Sequence, residues 1–248
     1  MRLALACAVG LSACVPEHGN FPGGDPGDPR PVGSTSSDPG LDAGVSGQPG
    51  RIRGRLCRRS DVRGDAPCPT VTGVTLRVIV AETGASDTTA ADGSFDLPGT
   101  TQRNPITLVT PADDPIWYGT AFPVFLDQSG SVTVLLPLVR RSDLEDVAVT
   151  NLVALDESRA VLAIEVRRNR SGATGFTAGD LDGVAPLYET GDPLTWTTSG
   201  PTGPTGSVLW LDVGPGTRTV RLTSPTGTTT AYAVPTLAGT ITLTPIDL

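Results

Sequence analysis

Thr88-Thr89-Ala90-Ala91-Asp92-Gly93-Ser94-Phe95-Asp96-Leu97 sets an Asp-Gly pair between two short runs that suit strands. Such a pair is the strongest local hairpin signal, because a type I′ turn needs positive φ at both central residues. The sequence therefore predicts a β-hairpin turning at Asp92 and Gly93. Toward the N-terminus, Arg51, Arg53 and Arg55 alternate with Ile52, Gly54 and Leu56, which predicts a strand with one basic and one buried face. Residues 71–82 predict a longer strand in which Val74, Leu76, Val78 and Val80 share a face. Beyond the turn, strands are expected at 105–110, 116–126 and 131–138.

Composition agrees with an all-β chain. Gly and Pro supply more than a fifth of the 248 residues, and Thr and Val recur in short alternating runs. Aromatics are only 4%, so each core must be aliphatic, with Trp117, Trp196 and Trp210 as the large anchors. The folded part suffices for two sandwiches of roughly 100 residues each. The expected organisation is a leader at 1–13, a tether at 14–50, a first β-sandwich at 51–140, a bridge at 141–158 and a second β-sandwich at 159–248.

Residues 51–97, with a Gly-containing first strand, a Val-rich second and then Thr-x-x-Asp-Gly-x-Phe-x-Leu, resemble the carboxypeptidase regulatory-like, transthyretin-type sandwich. The resemblance implies two tandem transthyretin-like β-sandwiches, being weaker in the second half. Relatives that hydrolyse hydroxyisourate use histidines and a C-terminal Tyr-Arg-Gly-Ser, whereas this sequence closes on Thr244-Pro245-Ile246-Asp247-Leu248, so that activity is not expected. Pilin-type relatives join a lysine to an asparagine, and this chain has no lysine.

At the N-terminus, Arg2, an apolar stretch and Leu11-Ser12-Ala13-Cys14 resemble the lipobox of bacterial lipoproteins. The resemblance implies cleavage before Cys14 and acylation of that residue, each buried methylene adding about 0.8 kcal/mol of membrane affinity. An ordinary secretory leader is the alternative. Residues 15–50 are Gly, Pro, Asp and Ser with almost no apolar content, which predicts a disordered tether. The one histidine, His18, lies in it and is read as solvated. Cys57 and Cys68 are the cysteines left once Cys7 leaves with the leader and Cys14 is acylated. Export makes the compartment oxidising, so a Cys57–Cys68 disulfide is expected, with free thiols as the alternative.

In the bridge, Ser142-Asp143-Leu144-Glu145 fits a capping box, and Leu144, Val147, Ala148, Leu152 and Leu155 recur at helical spacing. The β-branched Val147, Val149, Thr150 and Val153 favour a strand, and both readings stand. Residues 159–168 alternate again, Val161, Ala163, Glu165 and Arg167 opposing Ala160, Leu162, Ile164 and Val166. Residues 206–222 read as strand, Gly214-Pro215-Gly216 turn, strand, similar to the closing hairpin of the same family. Last strands are expected at 229–234 and 239–246. Asp180, Asp182, Gly183 and Glu189 imitate part of a calcium loop, but Ala178 stands at its first ligand place; calcium and an ordinary turn are both open.

Chemistry is bounded more sharply than ligand. All 18 basic residues are arginine and the net charge is −8, which disfavours nucleic acid and removes Schiff-base and Ser-Lys mechanisms. Without histidine outside the tether, a Ser-His-Asp site or histidine-held zinc has no ligand set. Asp113 and Asp114 beside Trp117 are the carboxylates a glycosidase would need, yet adjacent acids before Pro115 suit a turn. No catalysis, cofactor or metal is expected. The expected function is a lipid-anchored cell-envelope module, at the outer membrane on either face, that binds a protein, polysaccharide or anionic lipid. A carbohydrate-active enzyme with paired carboxylates and a self-assembling envelope spacer are the alternatives. The candidate contact surface is Arg51, Arg53, Arg55, Arg58 and Arg59, with Arg63 nearby.

Overall fold

The computed structural model describes residues 50–63, 66–100, 105–190 and 195–248, all within one compact unit. The leader, Cys14, His18 and the tether lie outside the described residues. In chain order the elements are β1 (Arg51–Arg59), β2 (Arg77–Val80), β3 (Ser86–Thr88), β4 (Ser94–Pro98), β5 (Ile106–Val109), β6 (Trp117–Val124) and β7 (Val132–Arg140), then α1 (Arg141–Thr150). The second half supplies β8 (Ala160–Arg168), β9 (Ser171–Gly172), β10 (Thr177–Ala178), β11 (Leu187–Thr190), β12 (Thr195–Thr197), β13 (Ser207–Val213), β14 (Gly216–Thr223), β15 (Thr229–Thr236) and β16 (Thr240–Asp247). The all-β class predicted from the sequence holds, with one short helix.

In the first half, β1 lies between β4, antiparallel, and β7, parallel. Facing this layer is β3-β2-β5-β6. The inward residues of both layers form one aliphatic core: Ile52 and Leu56 of β1, Val78 and Val80 of β2, Phe95 and Leu97 of β4, Leu136 and Leu138 of β7. The apolar run expected to be a strand over 71–82 is one only at β2, and Gly73, at φ 74°, lies in a bend before it.

The Asp-Gly segment differs from its prediction in two ways. Gly93 has φ 77° but Asp92 is not in the positive-φ region. The Gly93 N–H donates to the Ala90 carbonyl at 2.8 Å and the Ala90 N–H to the Ser94 carbonyl at 2.8 Å, a three-residue loop with its glycine last. Nor are its arms a ladder, since β3 pairs with β2 and β4 with β1. The loop is an arch between the two layers. The Gly214-Pro215-Gly216 turn is likewise an arch, because β13 pairs with β8 and β11 while β14 pairs with β15.

The second half packs β12-β11-β13-β8-β16 against β10-β14-β15. Trp210 fills the core between them, with Leu162, Ile164, Val166, Val220, Leu222 and Val234. β16 also pairs in parallel with β6, Thr240 opposite Gly119, so the two halves share one continuous sheet. The bridge is a helix. Arg140 occupies its N-cap without a side-chain bond, so the expected capping box does not form. Leu144 and Ala148, one turn apart, are held in a third core against Val161, Ala163, Leu209 and Ile241. That packing overrides the β-branched propensity and explains why β8 is buried on both faces. Leu152 departs from the helical stripe: it sits past the helix end at φ 58° and is 95% exposed.

Candidate binding groove on the arginine face

Strand alternation sends Arg51, Arg53 and Arg55 to the outer face of β4-β1-β7. The intervening Gly54 has a packing reason: a Cβ there would lie 2.4 Å from Phe95 Cζ and 2.6 Å from the Val134 carbonyl oxygen. The ring takes the space a side chain would fill beneath the arginines.

Neighbouring strands bring carboxylates opposite. Arg51 grips Asp96 through Nε at 2.8 Å and Nη2 at 2.7 Å, and Arg53 Nε reaches the same carboxylate at 3.4 Å. Arg55 pairs with Asp92 at 3.2 Å. The Arg51 guanidinium, hydrogen-bonded to Asp96, holds that carboxyl below its ordinary range, and Asp96 in turn raises Arg51. Asp92 is held low chiefly by the Ser94 hydroxyl, which donates at 2.6 Å, and by the Ser94 N–H at 3.0 Å. Asp87 receives the Thr88 N–H at 2.8 Å and the Asp96 N–H at 2.9 Å, closing the outer edge of β4 with a carboxylate.

A groove of about 580 Å³ runs over this face. Arg53, Arg55, Asp87, Asp96 and Thr133 provide its polar lining, and Leu135, 51% exposed, an apolar step. Guanidiniums and carboxylates thus alternate, giving donors and acceptors at strand spacing with little net charge.

The remaining arginines do not join this face. Arg58 reaches Asp143 of α1 at 3.7 Å. Arg59 donates to the Arg63 carbonyl and lines a separate cavity of about 90 Å³ with Glu165 and Arg167. Arg63 is paired with Asp61 at 3.0 Å. Cys57 and Cys68 are joined, their Cα atoms 5.1 Å apart, and the loop they close inserts Val62 into the third core.

Other candidate acids have structural partners. Asp114 accepts the N–H groups of Ile116 and Trp117, both at 2.8 Å, and so caps a turn. Asp182 accepts the Gly214 N–H at 2.8 Å and pairs with Arg218 at 3.3 Å. Glu189 is buried against Thr205, accepting its N–H at 2.8 Å and its hydroxyl. Among the described residues no cluster of metal-ligating side chains occurs. Asp182 and Gly183, at φ 53° and 81°, form the tight turn expected of Asp92 and Gly93, with Leu181 and Val184 bonded to each other across it. The sequence reading missed Asp92 and Asp96 as arginine partners. The signal was present in Asp96, which alternates with the apolar Phe95 and Leu97 and so must face outward.

No family model matches the chain, and no curated protein does. Among solved structures, the Bacillus anthracis TIE protein is 11% identical, covering 80% of this chain and 34% of its own, at a TM-score of 0.23. A Streptococcal ancillary pilin is 11% identical over 82% of this chain and 63% of its own, at 0.23. The major pilin subunit of Bacillus cereus is 8% identical over 80% and 99%, at 0.24. This chain therefore spans about a third of the first and under two thirds of the second. Likeness at these scores transfers neither fold nor function.

Proposed function

We propose that this chain is a non-catalytic binding module of the bacterial cell envelope, held at the outer membrane by acylated Cys14. It presents two sandwiches, residues 51–140 and 159–248, beyond a tether. Its binding face is the groove on β4-β1-β7, and the ligand class is an uncharged envelope polysaccharide. The observation that carries this reading is the balance of charge in the groove, whose lining sets Arg53 and Arg55 against Asp87 and Asp96, with Arg53 on Asp96 and Arg55 on the adjoining Asp92. Carboxylates there oppose an anionic headgroup, whereas hydroxyls can accept from guanidinium and donate to carboxylate in one plane. Leu135 offers the apolar step on which a sugar face rests.

The full acylated chain in detergent is titrated with neutral envelope polysaccharide, and separately mixed with anionic vesicles. Saturable polysaccharide binding is expected, reduced at least tenfold by Arg53→Ala with melting unchanged. Vesicle association should depend on Cys14 and not on salt. Vesicle binding that falls steeply between 0.1 and 0.5 M salt, roughly where surface charges become screened, without polysaccharide binding, overturns the ligand class. Absence of palmitate labelling that Cys14→Ser should abolish overturns the anchor.

A further inference from the structure

The second sandwich is open along one side. Among the described residues β15 pairs with β14 alone. The Pro235 carbonyl accepts the Thr242 hydroxyl of β16 at 3.0 Å, so Pro235 turns its backbone polar groups away from β14. Strand alternation carries Ala233, Ala231 and Thr229 to that same side, leaving their N–H and C=O groups along a free edge. Two clefts, of about 340 and 140 Å³, follow this edge between β15 and the ends of β16 and β8, and Tyr232 lines both. Phe125, 75% exposed, lines the larger. The layer β10-β14-β15 is therefore one strand short of covering the sheet it packs on.

We infer that a second copy of this chain supplies that strand: β15 pairs antiparallel with the partner copy's β15 about a twofold axis at Ala231, Thr229 of each copy opposite Ala233 of the other. Charge favours this occupant: residues 222–246 carry no charged side chain, in a chain of net charge −8, so two copies can bring this edge together without direct repulsion and no edge charge guards it. Register selects it too. Centred on Ala231, every backbone group that faces outward between 229 and 233 finds a reciprocal partner, and Pro235, which has no N–H, falls just outside the ladder. The competing edges are less available: β3 and β12 are three residues each, and the Asp87 carboxylate occupies the N–H of Asp96 on β4. Pairing extends the layer across both copies and covers the two clefts.

The test uses the full chain carrying Cys14→Ser, so that detergent is not needed. Sedimentation should show a monomer–dimer equilibrium at micromolar concentrations. Ala231→Cys should crosslink to a dimer under mild oxidation, because residues directly opposite in a hydrogen-bonded antiparallel pair lie about 5.5 Å apart, within disulfide reach. Thr226→Cys, in the exposed turn after β14, should not. Ala231→Pro removes an edge donor without touching a bond to β14, and should shift the midpoint for dimerisation at least tenfold while melting as the monomer does. A chain that stays monomeric at several hundred micromolar overturns the inference, as does equal crosslinking of both cysteine variants. So does a dimer indifferent to Ala231→Pro. Gain of mass only with an extended peptide from another protein overturns it equally, assigning the edge to a foreign strand.

Discussion

Gly54 shows how one missing methyl group shapes the arginine face. The Phe95 ring and the Val134 carbonyl occupy the place of its Cβ, so Gly54→Ala forces a layer apart and should destabilise by about 1–3 kcal/mol. Urea denaturation measures this, and adding Phe95→Leu should recover part of the loss. The opposite outcome is expected at Leu152, whose left-handed backbone carries a side chain that touches almost nothing. Leu152→Gly should raise stability by about 1 kcal/mol, since only strain is removed. The aspartates set the pH response. Asp92, Asp96, Asp127 and Asp156 are all held below their ordinary value by hydrogen bonds, from Ser94, Arg51, Ser129 and Ser158 first in each case. Their depressed folded values mean that the stabilisation is complete above the unfolded carboxyl range and is lost as pH falls through the folded one. Burial raises Tyr118 and Tyr188, so their contribution is complete below the unfolded phenol range and is lost as pH rises through the higher folded one. With the one histidine at position 18, melting temperature should be flat from about pH 5 to 9 and fall on either side. A step near pH 6.5 would contradict this.

Among the elements, the disulfide loop and the helix do related work. The Cys57–Cys68 bond closes an 11-residue separation and holds Val62 in the third core. Replacing both cysteines by serine should lower the unfolding free energy by roughly 2–3 kcal/mol on the loop-entropy estimate, read by chemical denaturation under oxidising conditions. The longer strands and the bond were legible in the sequence from alternation and cysteine number, whereas β9 to β12, each two to four residues long, are too short to show a period. The partners of the strands were not legible. The Asp92-Gly93 and Gly214-Pro215-Gly216 segments were read as hairpins because a turn signal reports reversal of the chain, not which layer receives the next strand. Helix α1 was undecided for the same reason: the groups that stabilise Leu144 and Ala148, such as Leu209 and Ile241, are distant in sequence. On the candidate face, Arg51, Arg53 and Arg55 were found from their period of two. Arg58 lies on the other parity and reaches Asp143 of α1, while Arg59, on their parity but beyond the buried Cys57, lines a separate cavity.

In the molecule as a whole, β16 binds the halves, pairing with β6 on one side and β8 on the other. Unfolding should consequently be a single transition. Variants retaining Trp117 alone, or Trp196 and Trp210 alone, should give coincident fluorescence midpoints; separation of the two curves would show that the halves melt independently. The position of β1 has a mechanical consequence. It is bonded along its length in parallel to β7, from Ile52 to Arg59, and antiparallel to β4 from its first residue. A tug arriving through residue 50 runs along the strand axis and strains many bonds in shear at once, instead of unzipping them singly. Under the anchoring and binding proposed above, load between the two would be carried by this single layer, sparing the rest of the protein tension.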